Sequence, residues 1–413
     1  MSLKRKFECG GDESQVGDDD HEYKKKKFNE LLFTNDYIQL VFSFLDRNFI
    51  FRTCSLISKQ FREQAINTPV AIYIRRNEHL ERIRNLTMPL NITELNLMHV
   101  TSNLTVFYDV LDWIFHQPPK HLQKLCTGII GFLFSVLTIQ DEYVEKLCSI
   151  PALSTLTSLN LPYYTMTKKG CSFIANCGYF QNLTELSVNV EKGLSDGFLS
   201  SPLVLHVKKL DLSYCSIKNL IFPQLMPLLE DLNLEGNDLE SNDLVALTQT
   251  RNLTRLDLSY NVNWDDEQCK TISENQYLTK LTDLELNFVD ITPKGLKYIV
   301  TSPYFKQLKC LHMNYFLDKE GCKILAESEN MRNLTSLTLG KELDEFLTLD
   351  GLSDIFNSNN LSNLQSLFLK GLNLIDSNFG VMLATSSFRK NLKSLKLVYC
   401  DLDILGVQYT VSP

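Results

Sequence analysis

Along most of the chain, apolar residues recur in the pattern Leu-x-x-Leu-x-Leu, as in Leu229–Leu234, Leu253–Leu258 and Leu281–Leu286. Clear or variant copies begin at Ile92, Leu156, Leu183, Val207, Leu229, Leu253, Leu281, Leu308, Leu334, Leu364 and Leu392, with a poorer one at Leu122, at intervals of roughly 22 to 34 residues. Successive side chains of an extended strand point to opposite sides. The alternating end of each copy therefore predicts a short strand with its leucines turned inward. Beyond the strand the period changes. In 291–300, 317–326, 166–175 and 194–201, apolar residues fall three or four apart after a capping Thr, Ser or Asp and a Gly, which predicts a helix. A unit this short cannot bury its own apolar side, so the copies must stack into a solenoid. The expected fold is α/β: a curved parallel sheet on the concave side, with helices on the convex side. The copies at Val207 and Leu229 are short, and a looser turn is expected in place of their helix.

The ninth position of the pattern holds Cys215, Asn237, Asn261 and Cys400. A buried Asn there can satisfy backbone groups of the turn leaving the strand, and Cys is a small apolar substitute. The pattern from about 92 to 400 resembles the longer leucine-rich repeats of the ribonuclease-inhibitor and cysteine-containing types. Residues 92–413 are read as about twelve such repeats. If the leucines face inward, the residues between them line the concave face. From the fourth to the eighth copy this face contains Glu185, Asp211, Asp231, Glu235, Asp257, Asp283 and Glu285, against the bases Lys209 and Arg255. With strands about 4.8 Å apart these carboxylates form a band, and the expected partner is a protein with a basic patch. Later copies carry Cys310, His312 and Asn314, then Phe368, Lys370, Lys396 and Val398, a more apolar and positive set. Cys310 and His312 share a side of their strand and are read as ordinary surface.

Ahead of the repeats, residues 1–27 alternate blocks of like charge with Gly and Ser and hold too little apolar surface to order. Lys4-Arg5-Lys6 and Lys24 to Lys27 read either as a solvated tail or as a nuclear import signal. Residues 28–67 show helical spacing suited to three short helices, and 68–91 read as a connecting helical segment.

The formal net charge of −8 over 413 residues disfavours nucleic acid or an anionic membrane as partner. The uncharged run Leu125–Ile139 has 15 residues, fewer than the about 20 a membrane span needs, and is read as a buried, irregular second repeat. The start of the chain does not resemble a secretory leader. With 11 scattered cysteines it reads as a protein of the cytoplasm or nucleus with free thiols. Asn-Leu-Thr and Asn-Ile-Thr triplets, as at Asn182, Asn252 and Asn333, mostly precede repeat strands and are read as part of the repeat rather than as glycosylation sites. No phosphate-binding Gly loop, zinc-ligand spacing or serine-nucleophile elbow is found, so no enzyme activity, cofactor or metal is expected.

The segment Phe33–Ala65 resembles an F-box through Ile38, Val41-Phe42-Ser43-Phe44-Leu45 and the ending Leu56-Ile57-Ser58-Lys59-Gln60-Phe61-Arg62. The family usually begins Leu-Pro. Phe33-Thr34 stand there instead, removing a proline that pre-sets the first helical turn and weakening the expected docking without abolishing it. An F-box joined to leucine-rich repeats implies a substrate receptor of an SCF-type ubiquitin ligase, with chemistry done by other subunits. By that resemblance Ile38, Val41, Phe42, Leu45, Phe49, Ile57, Phe61 and Arg62 would dock a Skp-type adaptor linked to a cullin, and the repeats would hold the target. The alternative is a non-ligase scaffold or inhibitor in the manner of ribonuclease inhibitor, with 28–67 a plain helical cap over the exposed apolar end of the first repeat. A resemblance to Ran GTPase-activating proteins is weaker, because the ending DLDILGVQYTVSP lacks the acidic tail common in that family.

Overall fold

The computed structural model describes residues 67–74, 91–97, parts of 109–126, and 141–398 apart from short stretches at 191–192, 196, 219, 223–224, 262, 314–317, 341–348 and 372–376. The chain divides into two compact units, residues 1–70 with 87–91 and residues 71–86 with 92–413. Nearly all described residues belong to the second. The charged tail, the 28–67 module apart from Asn67, most of the apolar run after Leu125, and Cys400 lie outside the described residues.

Among the described residues, thirteen strands form one sheet whose order follows the chain. They are β1 (Pro69–Tyr73), β2 (Asn91–Asn96), β3 (Lys124–Cys126), β4 (Ser158–Met166), β5 (Glu185–Val190), β6 (Lys209–Asp211), β7 (Asp231–Asn233), β8 (Arg255–Asp257), β9 (Asp283–Glu285), β10 (Cys310–Met313), β11 (Ser336–Gly340), β12 (Ser366–Lys370) and β13 (Ser394–Val398). Every pairing from β2 to β13 is parallel.

The register is set by a single column of leucines. Leu95, Leu125, Leu159, Leu186, Leu210, Leu232, Leu256, Leu284, Leu311, Leu337, Leu367 and Leu395 stand opposite one another on successive strands. Each is the second leucine of one predicted copy, including the poor copy at Leu122. All are buried except Leu395 on the last strand, which has a neighbour on one side only among the described residues. A slip of one residue would turn the leucines outward, so their burial holds the register. The backbone repeats with the same regularity. The carbonyl just before a strand accepts two N–H groups from the next repeat: Thr184 from Lys208 and Lys209 at 2.7 and 3.0 Å, and Glu230 from Thr254 and Arg255 at 2.8 and 3.0 Å.

Two sets of asparagines tie repeats together. Those of the triplets donate Nδ2 to a carbonyl of the preceding repeat: Asn182 to Ser154 at 2.8 Å, Asn252 to Pro227 at 2.5 Å and Asn333 to Lys306 at 2.8 Å. This nitrogen, the one glycosylation would modify, is thus already engaged between repeats. The ninth-position asparagines are deeper. Asn261 is fully buried; its Oδ1 accepts from Leu239 N at 3.3 Å, and its Nδ2 donates to the carbonyls of Leu234 and Leu258 at 3.1 and 2.8 Å. Asn237 repeats the arrangement with Ile217, Leu212 and Leu234. Cys215 takes the same place with its Sγ donating to the Val188 carbonyl at 3.2 Å.

Behind the sheet lie α1 (Asp141–Cys148), α2 (Lys168–Ala175), α3 (Pro202–His206), α4 (Ser241–Leu244), α5 (Asp266–Ser273), α6 (Pro293–Thr301), α7 (Lys319–Glu327), α8 (Leu349–Asn357) and α9 (Ser377–Thr385). In α6, Leu296, Ile299 and Val300 are buried, as the spacing requires, each stabilising by roughly 1.5–3 kcal/mol before entropy costs. Thr292 caps α6 by accepting from Lys294 N at 3.2 Å. It also donates N and Oγ1 to the Asp266 carboxylate in the first turn of α5, at 2.9 and 2.7 Å. Thr167 and Asp141 make the same bridge between α2 and α1. The capping Gly follows from this bridge. A Cβ on Gly295 would lie 2.3 Å from Asp266 Oδ1, and one on Gly170 2.5 Å from Asp141 Oδ1.

Three expectations need correction. The connecting segment 68–91 is not wholly helical, because Pro69–Tyr73 forms β1. Pro-Val-Ala-Ile-Tyr is largely β-branched and aromatic, and Ile74 N donates to the Asn96 carbonyl at 2.9 Å, which continues the ladder. Among its described residues, the stretch 194–201 holds a 3-10 turn at Phe198–Ser200 in place of the expected helix. Gly197 sits at φ +79° and Pro202 opens α3, so a continuous helix is interrupted at both ends. The copy at Leu229 does keep a single helical turn, α4, running into a 3-10 turn at Val245–Gln249.

Replacing Asn261 by Ala strands several buried backbone groups at about 1–3 kcal/mol each, so a loss of about 2–4 kcal/mol is expected in urea unfolding, against less than about 1 kcal/mol for Asn182→Ala. Gly295→Ala should reverse the usual rule. Ala favours a helix over Gly by about 1 kcal/mol, yet collision with Asp266 is expected to make the variant less stable, and Asp266→Ala should relieve most of the loss in a double-mutant cycle.

Candidate partner-binding face

The side chains alternating with the leucine column emerge on the open face of the sheet. From β5 to β9 they bring together all seven acids singled out from the pattern, with both bases among them. Lys209 pairs with Glu185 at 3.2 Å. Arg255 meets three carboxylates: Asp231 at 3.2 Å, Asp257 at 3.7 Å, and Glu285 in a close contact. Burial would weaken the guanidinium's hold on its proton, but Glu285 and Asp231 more than offset this. Both cations are thus engaged within the band. Asp211, Glu235 and Asp283 have no ion pair among the described residues.

The acids are not equivalent. Asp211 and Asp257 accept from the backbone N–H two residues on, Ser213 and Ser259, each at 3.0 Å. Asn233 does the same for Glu235 at 2.9 Å. This position on the middle strands is therefore filled by a short side-chain acceptor that closes the turn leaving the strand. Asp257 is 5 % exposed, and its pKa is pushed up to about 7, by burial first and then by the negative charge of Glu285. Glu235 is raised by burial, with Asp211 and Glu285 adding to the rise against a 2.9 Å hydrogen bond from the Tyr214 hydroxyl. Asp283 is also raised, chiefly by burial. Burial pushes Glu185 up too, but Lys209, Ser158 and Lys124 outweigh it and its pKa is lowered.

The Leu-x-x-Leu-x-Leu reading missed two features of this face. Tyr214, Tyr260 and Phe288, at φ +52°, +56° and +56°, occupy the same repeat position as Gly236 at φ +66°. Left-handed backbone is unusual for aromatic residues. It is imposed here by inter-repeat hydrogen bonds, as from Tyr260 N to the Asn287 carbonyl at 2.8 Å. The rings of Tyr260 and Phe288 stack with centroids 4.2 Å apart, forming an aromatic edge beside the acidic strands. The visible signal was Gly236, a residue suited to positive φ, aligned with three aromatics two positions after the last leucine of the pattern.

The second feature lies at β9 and β10. Cys310 stands opposite Asp283 in register, and His312 is two residues further along β10. The ligating atoms of these three side chains all lie within 4.8 Å of one another. His312 Nδ1 is 2.6 Å from Thr338 Oγ1 on β11. The Cys310 thiol is pushed up to about 11, first by burial and then by the Asp283 carboxylate. Of the later residues, Lys370 is 8 % exposed with its ammonium 5.5 Å from the centre of the Phe288 ring, so its charge is covered. Asn314 and the adaptor-docking residues Ile38, Val41, Phe42, Leu45, Phe49, Ile57, Phe61 and Arg62 lie outside the described residues. Among the described residues no helix is long and apolar enough to cross a membrane, and the eight cysteines are free thiols.

No family model matches the chain, and no curated protein matches it. Among solved structures it is similar to an internalin C2 of Listeria monocytogenes at 18% identity, over 56% of this chain and 84% of that one, with a TM-score of 0.32. It is also similar to an internalin, inlF, of the same organism at 16% identity, over 91% of this chain and 95% of that one, with a TM-score of 0.38.

The raised Asp257 gives a pH dependence of defined sign. Its folded pKa of about 7 exceeds the about 3.9 of an unfolded Asp. Between those values the native state binds the extra proton, so stability falls as pH rises from about 4 through about 7. Urea unfolding across this range should show that fall, and Asp257→Asn, which keeps the turn-closing acceptor as Asn233 does, should flatten it and raise stability at pH 8.

Proposed function

We propose that the repeat array is a non-catalytic protein-binding scaffold whose sheet face captures a partner through a basic patch. The observation that carries this reading is the seven-acid band, whose two cations are already held by acids of the same band. It leaves a surplus of negative charge in register on neighbouring strands, flanked by the stacked pair Tyr260 and Phe288. Carboxylates raised by burial and mutual repulsion gain most from an incoming cation, because it relieves both. Opposed charge of this kind steers encounter and selects partners.

We further propose that residues 28–67 dock a Skp-type adaptor and through it a cullin, making the chain the substrate receptor of an SCF-type ubiquitin ligase. Support for this part is the F-box-like sequence from Ile38 to Arg62. Deletion of 28–67 from the full chain, followed by affinity purification and mass spectrometry, tests it. Adaptor and cullin should be retained by the full chain and lost with the deletion. Retention of neither by the full chain would leave the scaffold or inhibitor reading.

The face is tested with nearly isosteric changes that leave the Arg255 network intact. Asp211→Asn with Glu235→Gln is expected to weaken a captured basic partner by about tenfold at physiological salt, about 1.4 kcal/mol, and to reduce the salt dependence of its association rate. Unchanged affinity and salt dependence would place the partner elsewhere.

A further inference from the structure

We propose that Asp283, Cys310 and His312 form a binding site for a transition-metal ion, zinc by preference, with one coordination position open on the sheet face. The parallel register places the three side chains on two adjacent strands, and their ligating atoms lie within 4.8 Å of one another. In a tetrahedral site with bonds of about 2.0–2.3 Å, neighbouring ligand atoms stand about 3.3–3.6 Å apart. Each pair therefore lies within about 1.5 Å of its coordination separation.

A second observation points to a cation at this place. Asp283 Oδ1 is buried and accepts no hydrogen bond among the described residues. A buried carboxylate oxygen left without a partner is costly, and a metal ion would remove that cost. The His312 ring is already held through Nδ1 by Thr338 at 2.6 Å, the kind of outer contact that fixes a metal-binding imidazole.

The donor set selects the ion. One thiolate, one imidazole and one carboxylate oxygen suit zinc, whereas calcium and magnesium require mostly oxygen ligands. Binding releases the Cys310 proton to solvent. The product of Zn2+, thiolate, carboxylate and neutral imidazole is electrically neutral, in a band otherwise crowded with negative charge. Because the three ligands sit on the open face, the fourth position is available to water or to a side chain of a bound protein.

The inference stands whether or not the same face captures a basic partner, since the metal is tested alone. The fully reduced full chain is titrated with Zn2+ against a chromophoric chelator, then with Co2+. The expected results are one tight equivalent of Zn2+ per chain, a thiolate-to-cobalt charge-transfer band, and a rise in thermal midpoint with Zn2+. Cys310→Ser, His312→Gln and Asp283→Asn should each weaken uptake at least about tenfold, while Cys148→Ser leaves it unchanged. Absence of stoichiometric uptake, uptake unaltered by Cys310→Ser and His312→Gln, or bound Co2+ without the thiolate band would overturn the assignment. If a variant fails to fold, mapping which thiol Zn2+ protects from alkylation on the unmodified chain decides the matter: protection of Cys310 supports the assignment, and Cys310 alkylated as fast with the metal as without it overturns it.

Discussion

Alignment of one leucine per repeat into an unbroken column governs the rest of the molecule. A repeat of about two dozen residues has no core of its own, and Leu256 is buried only because Leu232 and Leu284 flank it. Once the column is in register, all else is carried with it. The two-to-one backbone bonds at Thr184 and Glu230, the buried amides of Asn237 and Asn261, and the Asp266 to Thr292 bridge are each a contact between one repeat and the next. The same register lines up the outward positions. Like charges that a looser chain would splay apart are held on adjacent strands, and the array tolerates them by threading Arg255 among three of them and by raising the pKa of buried Asp257 to about 7.

Much of this architecture is legible in the sequence because its cause is periodic. The second leucine of each copy, even the poor one at Leu122, identifies a strand, and the ninth-position asparagines announce their burial. Legibility fails where the determining contact crosses from one repeat to another. Nothing in Pro69–Tyr73 shows the leucine pattern, so its entry into the sheet is invisible without the neighbouring strand. Gly295 looks like a helix flaw until the Asp266 carboxylate is seen against it. Cys310 and His312 are apparent as a pair on one strand, but their third member lies 27 residues earlier in the chain, on the strand alongside. The interval equals one repeat, which was the available clue.

The seven acids illustrate both cases. Their common orientation follows from alternation alone, whereas their unequal roles do not. Asp211 and Asp257 close backbone turns, and Asp231 and Glu285 anchor a guanidinium. Glu235 carries its surplus charge beside an aromatic edge, held by Tyr214. A face composed this way holds its acids in fixed places, which is what a surface that bound without reshaping itself would need.

The central claim, that this face and not the helical side receives the partner, is tested most directly by carbodiimide coupling within the captured complex, which joins carboxylates only to amines in direct contact. The account predicts products linking partner lysines to Asp211, Glu235 or their neighbours on β6 to β9. Products confined to helix carboxylates such as Glu267, Glu320 and Glu327 would contradict it.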